Sequence, residues 1–332
     1  MECAVITTYR CNARCKMCDI WRYPTKPEEE FDPEILHKIP KGMKRLNITG
    51  GEPTLRNDLI KIVEILNEKT KRLELVTNGS FPKRIIEVAK NFPNISIRIS
   101  IEGFPKLNEM QRGLKNGFEN ALKTILELKD LGLKDIGFAI VISDKNIQDL
   151  KYLNLLSQYL EVEFSQSTLH NSFYFHKKDN KINNISFLET RMNDFIKDLL
   201  TSRRKNIKLR VKDWFRAYIN AGLLKYMRGE NRSLPCYAGS ESFFLDPWGK
   251  VLACNGSPDP WVMGDLNTQN FYDIWNSKQS DLVRGQVKNC KENCWMAGTS
   301  VPAMRNNILI PVKWVIKNKI ALIAGREINE KI

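Results

Sequence analysis

The sequence predicts an α/β fold: a partial (β/α)6 TIM-like barrel followed by a small C-terminal domain built from a β-hairpin and helices. Two observations indicate this fold. Short apolar runs rich in β-branched residues alternate about six times with helical patterns in the first half of the chain, and two later apolar runs flank a DPWGK turn at residues 246–250. Because strands that alternate with helices usually pair in parallel, we expect the first half to form an open or closed barrel.

Six runs are predicted as buried strands because they are short, largely apolar and rich in β-branched residues. They are CAVITT from Cys3, RLNIT from Arg45, RLELVT from Arg72, ISIRISI from Ile95, IGFAIVI from Ile136 and EVEF from Glu161. The segments between them repeat apolar residues at helical spacing: PEILHKI, NDLIKIVEILNEK, PKRIIEVAKNF, GFENALKTILELKDLG and NIQDLKYLNLLSQYL. In parallel barrels the chemistry collects at the carboxyl ends of the strands, where we expect the site.

The chain is predicted to divide into four parts. The barrel takes residues 1–168, and a polar helical bridge at 169–231 has SFLETRMNDFIKDLL as its clearest helix. Residues 232–300 hold the hairpin signal SFFLDPWGKVLAC and four of the eight cysteines, which predicts a metal-dependent domain. A basic amphipathic tail follows at 301–332.

Composition sets wide limits on function. A chain of 332 residues with 42% hydrophobic content can bury a core without disulfides. Its opening, MECAVITTYR, lacks the pattern of a signal peptide, so we expect a cytoplasmic protein whose cysteines are ligands or core residues. The net charge of +14 suits a nucleic acid, an anionic membrane, an acidic partner or merely a solvated surface.

Three cysteines directly follow the first predicted strand. Cys11, Cys15 and Cys18 have the spacing C-x3-C-x2-C, and His37, His170 and His176 are remote in sequence. Four cysteines would close a structural zinc or iron–sulfur site, whereas three leave one metal position open to a ligand that is not protein. The loop therefore predicts a metal centre that performs chemistry.

Two motifs resemble those of the radical S-adenosylmethionine (SAM) superfamily: CNARCKMC, which fits its CxxxCxxC signature, and TGGEPTLR at residues 49–56. The resemblance implies that Cys11, Cys15 and Cys18 hold a four-iron, four-sulfur cluster whose free iron binds the amino and carboxylate groups of SAM. It also implies that Met17 lies against the adenine, with loop packing as the alternative.

Further SAM contacts follow from the same resemblance. Gly50, Gly51, Glu52 and Pro53 match the GGEP motif that hydrogen-bonds the SAM amino group, and the lack of Cβ atoms lets the glycine backbone approach a ligand. Asn78 and Ser100 end the third and fourth strands, where the family commonly places SAM contacts. Ser100 and Arg112 are candidates for the SAM carboxylate, unless Arg112 is an ordinary surface charge. Glu102 either faces the substrate or caps a helix.

A second set of cysteines, Cys236, Cys254, Cys290 and Cys294, resembles the SPASM type of C-terminal extension. The stretch C-x12-G-x4-C and the segment GDLNTQNFYDIW carry the resemblance, but a complete SPASM module has seven cysteines. We therefore expect one auxiliary 4Fe-4S cluster, as in the shortened "twitch" variant, with electron relay or structure as its role. Zinc bound by the same four cysteines is the alternative.

The resemblance predicts a radical SAM oxidoreductase or epimerase. It would cleave SAM reductively to a 5'-deoxyadenosyl radical and take a carbon-bound hydrogen from a carbohydrate or other small substrate. A peptide or protein maturase is the alternative, and a nucleic-acid modifier is the weaker one because the charge alone supports it. The first strand starts at Cys3, so we expect no preceding peptide-binding domain, which favours the small substrate. Flavodoxin or ferredoxin is the expected electron donor.

Two features keep alternatives open. Cys3 either donates a hydrogen atom to a substrate radical or is a small buried thiol. The tail NNILIPVKWVIKNKIALIAG is too polar to span a bilayer, since Lys313, Lys317 and Lys319 interrupt its apolar residues. It either contacts an anionic membrane peripherally with Trp314 at the interface or docks on its own barrel.

Overall fold

The structure, a computed structural model, describes residues 1–329. Its strands are β1 (Glu2–Ile6), β2 (Arg45–Thr49), β3 (Leu73–Thr77), β4 (Ser96–Ser100), β5 (Ile136–Ile142), β6 (Glu163–Thr168), β7 (Ser242–Leu245), β8 (Lys250–Leu252) and β9 (Val262–Asp265). All six strands predicted for the barrel are present as β1 to β6, and the predicted hairpin is present as β7 and β8.

The α-helices alternate with the strands of the first half and dominate the second. They are α1 (Leu59–Asn67), α2 (Pro82–Asn91), α3 (Pro105–Arg112), α4 (Gly117–Asp130), α5 (Ile147–Tyr159), α6 (Ile185–Leu200), α7 (Ile207–Met227), α8 (Phe271–Trp275), α9 (Lys278–Lys288), α10 (Ala297–Asn306) and α11 (Leu309–Ile323). The alternation of strand and helix confirms the predicted α/β class. No helix within residues 1–329 is long and apolar enough to cross a membrane.

Contacts divide the chain into two compact units. The first comprises Met1–Gly137, His170–Asn180 and Tyr237–Cys290, and the second comprises Phe138–Leu169, Lys181–Cys236 and the described part of Lys291–Ile332. The four-part division expected from the sequence stays a prediction.

The first unit is built on a mostly parallel sheet. Strand β1 pairs in parallel with β2, β2 with β3, and β3 with β4. On its other side β1 pairs in parallel with β7, and β8 and β9 continue the sheet with antiparallel pairing. The predicted hairpin therefore extends the sheet of the barrel. Because β1 to β4 are parallel, their carboxyl ends lie at one edge, to which the following loops bring their side chains.

The second unit contains most of β5, together with β6, α5 and the long helices α6 and α7. Its two strands are joined where Thr168 Oγ1 donates to the carbonyl of Ile142 over 3.0 Å. Asn184 and Asn206 each accept a hydrogen bond from a first-turn backbone N–H, which begins α6 and α7. Helix α11 packs against α6 and α7.

One predicted helix differs from expectation. The segment PEILHKI forms a 3-10 helix at Pro33–Lys38 rather than an α-helix. Ile39 at its end has ψ of 133°, because the following Pro40 excludes the α conformation from the residue before it. A segment this short has too few residues to complete further α-helical turns before it stops.

Candidate functional site

The predicted site residues gather at the carboxyl edge of β1 to β4. The cysteine loop follows β1, the GGEP turn follows β2, Asn78 directly follows β3 and Ser100 ends β4. Arg112 is the last residue of α3, which stops because Gly113 adopts the left-handed conformation with φ of 61°. The sequence therefore delivers five chain segments to one place.

The end of α3 holds the cysteine loop in position. The backbone N–H of Arg14 donates to the carbonyl of Arg112, and that of Lys16 to the carbonyl of Gln111, each over 2.9 Å. The last carbonyls of a helix have no partner within the helix, so the loop supplies the missing donors. The three cysteines are thus fixed relative to Arg112 through the backbone.

The three thiols lie close enough to influence one another. Burial raises the pKa of Cys11 and of Cys18 to about 12, and the neighbouring thiols contribute to both shifts. Burial also raises the pKa of Cys15, while the charge of Arg112 opposes the rise. Without metal the thiols are therefore neutral at pH 7, and metal binding would release their protons.

Arg112 provides the test of whether this site fits SAM. Its side chain is buried, and one guanidinium nitrogen, Nη1, donates to Glu102 Oε1 over 3.0 Å. Its Nε is also buried, and among the described residues no acceptor bonds it. A buried N–H without a partner is costly, and a carboxylate would satisfy it with a charge-assisted bond. The site fits an anionic ligand group beside the thiols, and the alternative of Arg112 as a surface charge is wrong.

Glu102 is buried beside Arg112, and its carboxylate pairs with the guanidinium over 3.0 Å. Its two predicted roles, facing the substrate or capping a helix, stay predictions.

Glu52 ties the GGEP turn to the next strand. This fully buried carboxylate accepts hydrogen bonds from Thr77 Oγ1 and from the backbone N–H of Asn78, each over 2.7 Å. It also accepts from the backbone N–H of Thr54. Its Oε2 accepts this one bond from Asn78 and has a second lone pair, which a ligand amino group would satisfy.

The two glycines are required by neighbouring backbone. A Cβ on Gly51 would lie 2.3 Å from the carbonyl oxygen of Arg10, and one on Gly50 would lie 2.6 Å from that of Thr8. The backbone N–H of Gly51 donates to Thr8, and that of Glu52 to Arg10. The GGEP turn is therefore packed directly against the chain that leads into Cys11.

The remaining predicted contacts are placed as follows. Asn78 Nδ2 donates to Asn12 Oδ1 over 2.8 Å, which joins the cysteine loop to the end of β3. Met17 and Ser100 are half-buried, and Pro53 begins a 3-10 turn at Pro53–Leu55. Their contacts with SAM stay predictions.

Cys3 lies away from this edge. It is the second residue of β1, pairs with Leu46 and Phe243, and is about 10 Å along the strand from its carboxyl end. Burial raises its thiol pKa well above the ordinary value. This position favours the alternative of a small buried thiol.

A segment at His170–Asn180, here called the strap, covers the cysteine loop and was missed by sequence reasoning. The hydroxyl of Tyr174 donates to the carbonyl of Gly50 over 3.0 Å, and Asn180 Nδ2 donates to the carbonyl of Met17 over 3.1 Å. The backbone N–H of Asp19 donates to the carbonyl of Phe175, and Lys177 pairs with the Asp19 carboxylate. The aromatic run FYFH within a polar stretch was the available signal.

The second set of cysteines is divided between the two units. In the first, Cys254 follows β8 and its Sγ accepts the backbone N–H of Gly256 over 3.1 Å, while Cys290 is exposed after α9. In the second, the carbonyl of Cys294 accepts from Arg232 over 3.0 Å, and Cys236 is half-buried. Their joint role as ligands stays a prediction.

Within residues 1–329, no three His, Cys, Asp or Glu side chains form a group that could hold a single metal ion. The thiolates of a four-iron cluster bind separate iron atoms, so they need not meet at one point.

The site has three thiols after the first parallel strand and a glycine turn after the second. This arrangement is typical of enzymes that bind a cofactor at an open cluster iron. The family model described as "Radical SAM superfamily" matches residues 5–156, and one described as "Iron-sulfur cluster-binding domain", SPASM, matches residues 236–295. Together they cover more than half of the chain. It belongs to the radical SAM superfamily and carries a SPASM domain, so SAM, a 4Fe-4S cluster and auxiliary iron–sulfur binding are implied.

Curated relatives match either about half of the chain or most of it. The identity is 29% to Fe-coproporphyrin III synthase of Methanosarcina barkeri, over 43% of this chain and 37% of that one. The chain is 30% identical to GTP 3',8-cyclase of Helicobacter pylori, in a match that covers 49% of this chain and 56% of that one. The chain is 23% identical to the subtilosin biosynthesis protein AlbA of Bacillus subtilis, in a match that covers 86% of this chain and 62% of that one. The chain thus spans less than two thirds of the length of each of these three relatives.

Solved structures share the fold over nearly the whole chain. The structure of anSMEcpe with bound AdoMet and Cp18Cys peptide aligns with a TM-score of 0.61 at 16% identity, covering 89% of this chain and 87% of that one. This likeness confirms the predicted fold of a partial barrel with a C-terminal cluster domain.

Proposed function

We propose that this enzyme cleaves SAM reductively and takes a carbon-bound hydrogen from a peptide or protein substrate, leading to oxidation, crosslinking or epimerisation. The observation that carries the radical chemistry is the gathering of three half-buried thiols, Arg112 and Glu52 at the carboxyl edge of β1 to β4. The peptide substrate is supported by AlbA, which matches over 86% of this chain. It is also supported by the shared fold of anSMEcpe, whose solved structure holds a peptide.

Each group has a distinct task in this proposal. Cys11, Cys15 and Cys18 hold the cluster, which supplies the electron that breaks a carbon–sulfur bond of SAM. Arg112 Nε binds the SAM carboxylate, and Glu52 with the backbone of Gly50 and Gly51 binds its amino group. Because Arg112 and Glu52 are buried, water is kept from the groups that bind SAM.

The SPASM cysteines form the second part of the proposal. Cys236, Cys254, Cys290 and Cys294 bind one auxiliary 4Fe-4S cluster, which relays electrons or stabilises its domain. A flavodoxin or ferredoxin delivers electrons to the enzyme. The cytoplasmic location stays a prediction.

A carbohydrate or other small substrate, expected first from the sequence, is the second candidate. The similarity to GTP 3',8-cyclases supports a small substrate: the one of Helicobacter pylori matches 49% of this chain, and a probable one of Sulfurisphaera tokodaii matches 75% at 24% identity. AlbA matches over 86% of this chain, and anSMEcpe with its bound peptide shares the fold, so the peptide stays the first candidate.

Anaerobic reconstitution tests the radical chemistry. Protein reconstituted with iron and sulfide, supplied with SAM and dithionite, should release 5'-deoxyadenosine. Cys11→Ala should abolish this product because the cluster loses a ligand, whereas Cys3→Ala should retain it because Cys3 is remote from the site. Equal yields from wild type and Cys11→Ala would contradict the proposal.

Isotope transfer tests the substrate class. Candidate precursor peptides encoded by neighbouring genes, made with deuterated side chains and backbone, should pass deuterium into 5'-deoxyadenosine. Transfer from deuterated sugars, with none from the peptides, would favour the second candidate instead.

A further inference from the structure

A basic stretch without acidic residues lies near the C-terminal end of the chain, at residues 295–326. From Trp295 to Arg326 the sequence contains Arg305, Lys313, Lys317, Lys319 and Arg326 but no Asp or Glu. Helix α11 lies within this stretch. The five basic side chains of this stretch would attract a negatively charged surface, with Glu327 the first acidic residue after them.

One face of α11 is docked on its own unit. Pro311, Trp314, Val315 and Asn318 are buried, and the helix packs against α6 and α7. Trp314 Nε1 donates to the carbonyl of Asn329 over 3.0 Å, and its ring meets the Tyr218 ring edge-on. The expectation that Trp314 lies at a membrane interface is therefore wrong. Docking fixes which side chains of α11 face outward.

The opposite face carries a continuous stripe of aliphatic and lysine side chains. Positions 309, 313, 316, 320 and 323 are spaced by four, three, four and three residues, which places them on one side of the helix. The exposed fraction of the aliphatic members rises from 54% at Ile316 to 86% at Ile323. We call the following set the outer stripe: Leu309, Lys313, Ile316, Lys317, Ile320 and Ile323.

We propose that the outer stripe lies on the surface of an anionic lipid bilayer and holds this enzyme there peripherally. Aliphatic side chains enter the boundary between headgroups and acyl chains, while lysines extend to the lipid phosphates. Helix α11 supplies both kinds of group on one face. Its 15 residues do not span a bilayer, so the helix lies in the interface plane.

The stripe fits a bilayer better than other occupants. A nucleic acid would explain Lys313 and Lys317 but not four exposed aliphatic side chains, since phosphate contacts use charged and polar groups. A partner helix would bury Lys313 and Lys317 within the contact, which is costly without acidic partners. The proposal does not depend on the radical chemistry or on the substrate.

Vesicle co-sedimentation of the full chain tests the proposal. Wild type should bind vesicles of phosphatidylcholine with one third phosphatidylglycerol at least tenfold more tightly than vesicles of phosphatidylcholine alone, and salt should weaken the binding. Replacing Ile316 and Ile320 together by Glu should lower the affinity at least tenfold. The Lys313→Gln substitution should lower the affinity for the anionic vesicles about fivefold and change the affinity for neutral vesicles less.

A matched variant separates the stripe from a general charge effect. Tyr152 and Leu155 are exposed on α5, so replacing both by Glu adds the same charge elsewhere and should leave binding unchanged. The proposal is overturned if wild type ignores anionic vesicles, or if both double variants bind equally. It is also overturned if the Ile316 and Ile320 replacements only convert a dimer to a monomer in light scattering.

Discussion

The hydroxyl of Tyr174 connects the strap to the glycine turn. It donates to the carbonyl of Gly50, and the ring packs edge-on against Tyr9 in a buried cluster that Cys18 also contacts. Burial raises the pKa of Tyr174, so the group remains a neutral donor at ordinary pH. Tyr174 is thus a positioning residue, which acts on the SAM site through Gly50.

The Tyr174→Phe variant should show this role. The carbonyl of Gly50 loses a buried partner, so the free energy of unfolding should fall by about 1 kcal/mol. The dissociation constant for SAM should rise severalfold because the turn loses its support. Denaturant unfolding and a SAM titration of the reconstituted protein measure the two effects.

Tyr23→Phe is the matched control. Tyr23 is an exposed tyrosine stacked on His176 of the strap, and its replacement should change neither quantity. A Tyr174→Phe variant with unchanged SAM affinity would show that the hydroxyl has only a structural effect.

The sequence predicts the positions of some site residues better than those of others. The spacing of Cys11, Cys15 and Cys18 predicts a shared centre, because a strand-to-helix loop is short enough to bring them together. The contact between Arg112 and these thiols joins residues about a hundred positions apart, and only the end of α3 creates it. Spacing alone does not encode such a contact.

At the scale of elements, the GGEP turn and the cysteine loop act as one packed unit. A Cβ at Gly51 meets the backbone of Arg10, which cannot move aside without breaking the bonds between the two segments. Gly51→Ala should therefore lower the free energy of unfolding by about 2 kcal/mol or more, and also lower the iron bound per chain. Denaturant unfolding and iron analysis check both.

Gly285→Ala serves as the control for that change. Gly285 lies within α9, and a Cβ there meets nothing within 4 Å. Alanine should raise the free energy of unfolding by about 0.5–1 kcal/mol, because glycine is a poor helix former. If both variants were equally stable, close packing would not be what requires glycine at position 51.

Strands were predictable and the strap was not, for one physical reason. A strand buried on both faces is a nearly continuous apolar run, as in IGFAIVI of β5, so its own residues indicate that it is buried. The strap is polar, without a helical or strand period, and is held by hydrogen bonds to Met17, Asp19 and Gly50. Likewise, the sequence around the DPWGK turn predicts that β7 and β8 form a hairpin, but it does not predict that β7 pairs with β1.

At the scale of the whole molecule, two sets of cysteines imply two iron–sulfur centres. Reconstituted wild type should bind about eight irons per chain, four in each cluster. The Cys15→Ala variant should lose the iron of the first centre, and the Cys290→Ala variant that of the second. Metal analysis with sulfide determination measures both.

Zinc analysis decides the identity of the second centre. About four irons and one zinc per wild-type chain would replace the auxiliary cluster by a structural zinc site. About four irons with no zinc would remove the second centre altogether.

The central claim is that Cys11, Cys15 and Cys18 leave one cluster iron open to SAM. Electron paramagnetic resonance of the reduced protein, recorded with and without SAM, tests it most directly. SAM should change the spectrum of wild type and of Cys290→Ala but not that of Cys15→Ala. A SAM-dependent change that survives in Cys15→Ala, or its absence in wild type that carries the first cluster, would contradict the account.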